Sequence, residues 1–349
     1  MPSNNPDKKK VLVAGIGVGS LGLELLKCLS LEDSFIVYGA DIDKNAYGHL
    51  DSRFAETFTV RSSPTEIYCD DLIRICHKKE ISYIAPGAEA TNRIICLHQD
   101  RFRDAGISPL VNSLRVFNVC ANKVQCNEFL KSKGLPSVDT VIVTKGFSLN
   151  EFSRFPCVVK PAIDSGGSNL VFIAENLEEA RFFVGYLASR GVDACVQEYI
   201  DSSDEFTVGV LSSPEGEILS SIALKRNLSS KLSRLLAYGN QIISSGWSQG
   251  RIEQYPDVCR QAEKIALALG STWALNIQGR VKDDVFIPFE INPRYSGTSY
   301  FRAMSGVNEI LIGLNYLNTG QKNHLGQIRS ATYSRILTEQ IVFDGEKTF

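Results

Sequence analysis

From residue 11 onward, short apolar runs alternate with helical patterns. VLVAGIG is followed by a helical stretch over 20–29, FIVYGAD by one over 70–77, and then comes YIAPG. Strands this apolar are buried on both faces, and helices between them point to a parallel sheet with crossover connections. This first domain closes near 109–113. A helix over 122–133 follows, with Gly134 as its C-cap and Pro136 beyond it. Strands then dominate: VDTVIV, CVVKP, LVFIA, CVQEYI, FTVGVL and ILSSIAL. Helices intervene over 177–189 and after Pro256, where Val258, Ala262, Ile265, Ala266 and Leu269 share one face before Gly270. Residues 225–251 are rich in Ser, Arg, Lys and Gly and read as a long loop of the kind that serves a site. The fold class is therefore α/β joined to α+β.

The 349 residues suffice for two or three domains with substantial cores. A net charge of −2 leaves no basic excess for nucleic-acid binding. Nine cysteines without a C-x-x-C pair read as reduced thiols of a cytoplasmic protein. No apolar run reaches the ~18 residues of a membrane span, and the polar start MPSNNPDKKK carries no signal peptide. The four histidines occupy unrelated contexts without metal-ligand spacing, and no Ser/His/Asp arrangement is evident.

The segment from Phe289 to Gly297, FEINPRYSG, carries the sharpest chemical signal. Glu290 and Asn292 are two apart, so a strand projects both from one face, as hard oxygen ligands for Mg²⁺. Arg294 follows as a planar cation suited to phosphate or carboxylate. WALNIQG and VFIPFEIN flank Lys282-Asp283-Asp284, read as a hairpin turn that brings Gln278 opposite Glu290 as a third donor. A one-residue slip would turn Gln278 to the wrong face.

Other motifs each carry two readings. Gly15, Gly17, Gly19 and Gly22, with Asp41 at the end of the next strand, match a dinucleotide fingerprint or serve tight packing; packing is preferred. Lys160 closes CVVKP ahead of Ser165, Gly166, Gly167 and Ser168. This is either an anion-binding lysine with a phosphate-cradling loop, or a snorkelling lysine and a turn. Glu198 and Glu205 can take hydroxyl or amino hydrogens, or face water at strand ends. Arg226, beside Lys225, can meet an anionic substrate or solvent. Lys123, at the positive end of its helix dipole, is poorly placed unless it serves an anion.

The order of these pieces, Lys123, VVKP with its glycine loop, QEYI with Glu205, NIQ and FEINPR, closely resembles the ATP-grasp superfamily, in particular the branch of the carbamoyl-phosphate synthase large subunit. The resemblance runs from about residue 10 to 335. It implies a Rossmann-like pre-ATP-grasp domain over 1–112 and two ATP-grasp subdomains over 113–200 and 201–349 that clamp ATP between sheets. It further implies that Lys123 and Lys160 contact phosphates, and that Glu198, Tyr199 and Ile200 lie at the adenine, with Ile200 acting through its backbone. Glu205 would bind ribose, and Ser165 to Ser168 would cover the γ-phosphate. Gln278, Glu290 and Asn292 would hold Mg²⁺, with Mn²⁺ as a substitute. Arg294, with Lys160 and Arg226, would serve phosphoryl transfer, and the N-terminal glycines would line the acceptor side. A single unit without a glutaminase domain points to a stand-alone ligase joining a small carboxylate or amino acid to an amine, a homodimer by default. Two alternatives stand beside it: a nucleotide-binding subunit or sensor without turnover, or a carbamoyl-phosphate-synthase-like phosphorylating enzyme. A Rossmann oxidoreductase rests on the glycines and Asp41 alone.

Overall fold

The computed structural model describes residues 8–17, 19–143, 149, 152–163, 170–238, 240–322 and 327–336. The first unit holds β1 (Lys9–Ala14), α1 (Leu21–Leu29), β2 (Phe35–Asp41), β3 (Glu56–Thr59), α2 (Thr65–Lys79), β4 (Tyr83–Pro86), α3 (Glu89–Leu97), α4 (Gln99–Asp104) and β5 (Ser108–Pro109). Its five strands are parallel in the order β3-β2-β1-β4-β5, a doubly wound arrangement. Alternation along β1 explains the two layers. Val11 and Val13 pack with Leu25, Leu26 and Leu29 of α1, while Leu12 and Ala14 pack with Leu72 and Ile75 of α2 and Ile95 of α3.

Of the glycines of the first turn, Gly22 serves this packing, whereas a Cβ on Gly17 would meet open space. A Cβ on Gly22 or Gly87 would overlap the Gly15 carbonyl oxygen. Asp41 is engaged by backbone: Oδ2 accepts from Ile16 N at 2.6 Å and Oδ1 from Asp43 N at 2.9 Å.

Helices α5 (Leu114–Ala121) and α6 (Lys123–Ser132) lead to a second, antiparallel sheet. It comprises β6 (Thr140–Val143), β7 (Cys157–Pro161), β8 (Phe172–Ala174) and, after α7 (Leu177–Ala188), β9 (Ala194–Glu198), in the order β6-β9-β7-β8. The remaining elements are β10 (Glu205–Ser212), β11 (Ile218–Arg226), β12 (Arg234–Tyr238), β13 (Gln241–Ser244), β14 (Gly250–Ile252), α8 (Pro256–Leu269), β15 (Ala274–Lys282), β16 (Val285–Asn292), α9 (Ser299–Met304), α10 (Glu309–Thr319) and β17 (Ala331–Tyr333). Six of these strands form a sheet in the order β16-β15-β10-β11-β14-β17. One face packs on α8 through Phe206, Val208, Leu275, Ile277 and Ile291. The five residues expected to share a face of α8 are all buried, and Gly270 closes that helix in the left-handed conformation at φ 65°.

Two expectations are corrected. Residues 225–251 are not one long loop: they hold the two-stranded β12–β13 hairpin and β14, which pairs with β11. Leu235, Leu236 and Tyr238 of β12 are exposed, so this hairpin lacks the alternation that marks a half-buried strand. The β15–β16 turn is two residues, because Lys282 pairs with Val285. Asp283 and Asp284 take φ of 51° and 60°, the left-handed geometry of a type I′ hairpin. Among the described residues no helix is long and apolar enough to cross a membrane.

Candidate active site

The face of the large sheet away from α8 carries a polar field, because hydrophilic residues alternate on three adjacent strands, β10, β15 and β16. Glu205 pairs with Arg280, Thr207 with Gln278, Gln278 with Glu290, and Asn276 with Asn292. Side chains directly opposite one another lie within reach across a strand pair. A bulge between Gln278 and Gly279 skips Phe289, which turns into the cleft.

That cleft lies between the two antiparallel sheets. From the small sheet come Lys160, Gln197 and Glu198, followed by Tyr199 and Ile200. From the large one come Glu205, Gln278, Arg280, Phe289 and Glu290, while Ile242 and Ile243 of the β12–β13 hairpin form a third wall. Lys160 is buried; its Nζ donates to Gln197 Oε1 at 2.8 Å and lies 3.4 Å from the Phe289 carbonyl. Glu198, one-third exposed, pairs with Arg154 at 3.0 Å. Lys123 opens α6 behind Asn122, whose Oδ1 caps the helix by accepting from Val124 N and Gln125 N, each at 3.1 Å.

Beneath the cleft runs a buried charge row. Arg280 Nε donates to Glu205 Oε2 at 3.0 Å, and Arg226 Nε lies 3.5 Å from Glu205 Oε1. Burial lowers the pKa of Arg226, and the carboxylates of Glu205 and Glu290 oppose that shift. Burial also works against the charge of Arg280, but Glu205 and Tyr199 more than offset it, so its pKa is raised. Arg280 reaches the Ile200 carbonyl at 2.7 Å and the Ile242 carbonyl at 2.6 Å. Tyr199 Oη accepts from Ile242 N at 2.8 Å. The hairpin is thus tied to the cleft wall through one arginine and one tyrosine.

A second chamber of about 350 Å³ opens on the other side of Gln278 and Glu290, which line both spaces. Its walls come from the turn at Gly19 and Ser20, the start of α3 at Gly87 to Glu89, Ser245, Gly246 and Ser248, and Arg226 and Arg294. Arg294 forms an ion pair through Nε with Glu89 Oε2, and its Nη1 donates to the Tyr295 carbonyl at 3.0 Å.

The residues between these spaces suit a hard divalent cation. Glu290 contributes a carboxylate, Gln278 and Asn292 amide oxygens, and all three share one sheet face. Asn292 Nδ2 donates to Glu290 Oε1 at 3.0 Å, which turns its Oδ1 toward Arg294 Nη2 at 3.4 Å. One carboxylate with neutral oxygens is a donor set for Mg²⁺ completed by phosphate and water. Among the described residues no cluster of three His, Cys, Asp or Glu offers a rival metal site.

A family model described as ATP-grasp in the biosynthetic pathway with Ter operon matches residues 191–339. An L-amino acid ligase from Bacillus licheniformis superposes with a TM-score of 0.64 over 88% of this chain and 74% of its own, at 14% identity. The chain has the ATP-grasp fold. N5-carboxyaminoimidazole ribonucleotide synthetase from Thermotoga maritima matches at 18% identity and TM-score 0.59, covering 91% of this chain and 77% of that one. The biotin carboxylase domain of 2-oxoglutarate carboxylase from Hydrogenobacter thermophilus, in complex with MgADP, ADP and bicarbonate, matches at 18% identity and TM-score 0.61, covering 92% and 72%.

Within this ATP-grasp architecture, Lys123, Lys160, Glu198, Tyr199, Ile200, Glu205, Gln278 and Glu290 line one cleft, with Asn292 directly beyond Glu290. Arg226 and Arg294 line the adjoining chamber. Two carry-overs have altered surroundings. Both Glu205 oxygens face buried guanidinium groups instead of water, and the Ile200 carbonyl already accepts from Arg280. Ser165, Gly166, Gly167 and Ser168 lie outside the described residues. The sequence reading missed Arg280, Asn276, Glu89 and the buried Arg302, whose Nη2 donates to Asn276 Oδ1 at 2.9 Å. Period-two spacing from Gln278 marks Arg280 and Asn276 as sharing its face. Glu89 and Arg302 come from a helix start and a short helix, and no local pattern ties them to the site.

Proposed function

We propose that this ATP-grasp chain is an ATP-dependent ligase. It activates a small carboxylate or amino acid as an acyl phosphate and joins it to an amine, with release of ADP and phosphate. The observation that carries this reading is that Gln278 and Glu290 line both the cleft and the second chamber. Nucleotide and acceptor would meet across them. Adenine would lie against Tyr199, Ile200 and Ile242, with phosphates directed along Lys160 and Lys123. Gln278, Glu290 and Asn292 would hold Mg²⁺, which supplies charge neutralisation and orientation of the phosphates. A carboxylate oxygen in the second chamber attacks the γ-phosphorus, and ADP leaves. Arg294 steadies the charge of the transferred group. The amine then attacks the acyl carbon and phosphate leaves with its electron pair. Every step asks for positioning and electrostatics, and none needs a protein nucleophile.

The test is ADP release across a panel of amino acids and small acids, with wild type and Glu290→Ala. An acid-dependent rate that falls by about 100-fold or more in the variant is expected, from loss of metal-held transition-state charge. ADP release that no acid stimulates, together with an unchanged Glu290→Ala variant, would reject the ligase.

A further inference from the structure

The second chamber is built for a ligand of a particular charge pattern. Its floor is set by Gln278 and Glu290, and much of its wall is Gly, Ala and Ser. Against that wall stand two cations and, away from the metal-facing Glu290, one carboxylate. Arg226 is committed: Nη2 donates to the Ser245 carbonyl at 2.5 Å, Nη1 lies 3.5 Å from Gln278 Oε1, and Nε faces Glu205 at 3.5 Å. Arg294 and Glu89 are different. They form an ion pair at the chamber edge, each partly exposed, with side-chain accessibilities of 20% and 30%. A carboxylate drawn to Arg294 therefore enters the field of Glu89, held on the same guanidinium. A ligand that carries only negative charge is repelled there. A ligand with a cation beside its carboxylate meets opposite charges in the matching order.

We propose that the acid taken by this chamber is a zwitterion bearing a free ammonium group next to the carboxylate, an α-amino acid, and that Glu89 binds that ammonium. The inference rests on the ligase reading of the same chamber and adds the substrate class and the specificity residue. Arg294 faces the carboxylate and Glu89 the ammonium. The pair sits where the N-terminal sheet, through the start of α3, meets the end of β16, so both units contribute to acceptor choice.

The test is titration calorimetry on wild type and Glu89→Gln in the presence of Mg-ADP. The probes are L-alanine against propionate and L-lysine against 6-aminohexanoate. In wild type the amino acid of at least one pair binds about tenfold or more tighter than its deaminated partner, the scale of a charged hydrogen bond. Glu89→Gln, checked for folding by its thermal melt, removes that preference by weakening the amino acid alone. Equal affinity within both pairs, no binding of any probe, or a variant that weakens both members alike would overturn the proposal. The last result is what a mere brace for Arg294 would give. ADP release with the same probes reads the ligase separately. Selective binding, with no acid of the wider panel stimulating release and Glu290→Ala unchanged, rejects the ligase and keeps the ammonium site. Release driven equally by deaminated acids does the reverse.

Discussion

Glu205→Ala isolates the buried charge row beneath the cleft. Glu205 and Arg226 are 1% exposed and Arg280 is 5% exposed, with contacts of 3.5 and 3.0 Å to the carboxylate. At these separations an effective dielectric of about 20 gives roughly 5 kcal/mol of attraction per contact. Desolvation of three ions offsets most of it, so the intact row adds little net stability. Removing the carboxylate is another matter: two desolvated guanidinium groups remain close together, with only Glu290, outside ion-pair distance, still opposing the charge of Arg226. A loss of about 3–5 kcal/mol follows, the scale for breaking a buried pair. For domains of this size that corresponds to a fall in melting temperature of roughly 6–20 °C. The control is Glu253→Ala, which breaks the Arg251–Glu253 pair. That pair is shorter, at 2.6 Å, but 51% and 36% exposed. Exposed pairs contribute about 0–1 kcal/mol, so its melt should barely move. Calorimetric melts of both variants decide the point. If Glu205→Ala lost less than about 1 kcal/mol, or if the two variants lost the same, burial would not be what fixes the cost of this charge.

Two further predictions use the same logic elsewhere. Hydrogen bonds from Arg61 hold the Asp71 carboxyl well below the usual carboxylate range; burial opposes this and Arg74 adds to it. A depressed pKa stabilises the fold above the unfolded value of about 4 and is lost as pH falls below it. Asp71→Asn should therefore cost about 1–2 kcal/mol at pH 7, discounted for its exposed arginine partners, and progressively less below about pH 4. Urea titrations at pH 7 and 3 showing an undiminished difference would refute this. Gly209 lies under the Arg302–Glu309 pair, and a Cβ there would overlap Arg302 Nη1 and Glu309 Oε1. Gly209→Ala should cost about 3 kcal/mol by displacing a buried pair. Gly185→Ala, in the interior of α7 with open space at its Cβ, should instead gain about 0.5–1 kcal/mol. Melts that moved in the same direction for both would contradict the packing account.

How much of this site the chain discloses depends on which interaction fixes each part. The parallel sheet was readable because buried strands and crossover helices are local patterns, and the α8 face because its apolar spacing is regular. The β12–β13 hairpin was not readable, since it lies over the cleft with exposed leucines and no core to impose alternation. The Arg294–Glu89 pair was not readable either, because it joins residues 205 positions apart through the meeting of two units. The Gln278–Glu290 pair is the instructive middle case. Counted back from the two-residue turn at Asp283-Asp284, a regular ladder would set Gln278 opposite Phe289 and leave Glu290 opposite Ile277, on the α8 side. The bulge inserts one residue, so Gln278 meets Glu290 and Asn276 meets Asn292. Pro288 and Gly279 face each other just before it, and proline in a strand is typical of edges and bulges. A three-residue turn without a bulge would also misplace the pair, setting Gln278 opposite Pro288. The motif FEINPR is therefore not sufficient for the donor set by itself. The set exists because an irregularity between turn and motif moves Glu290 and Asn292 onto the polar face of the sheet, opposite the amides of β15.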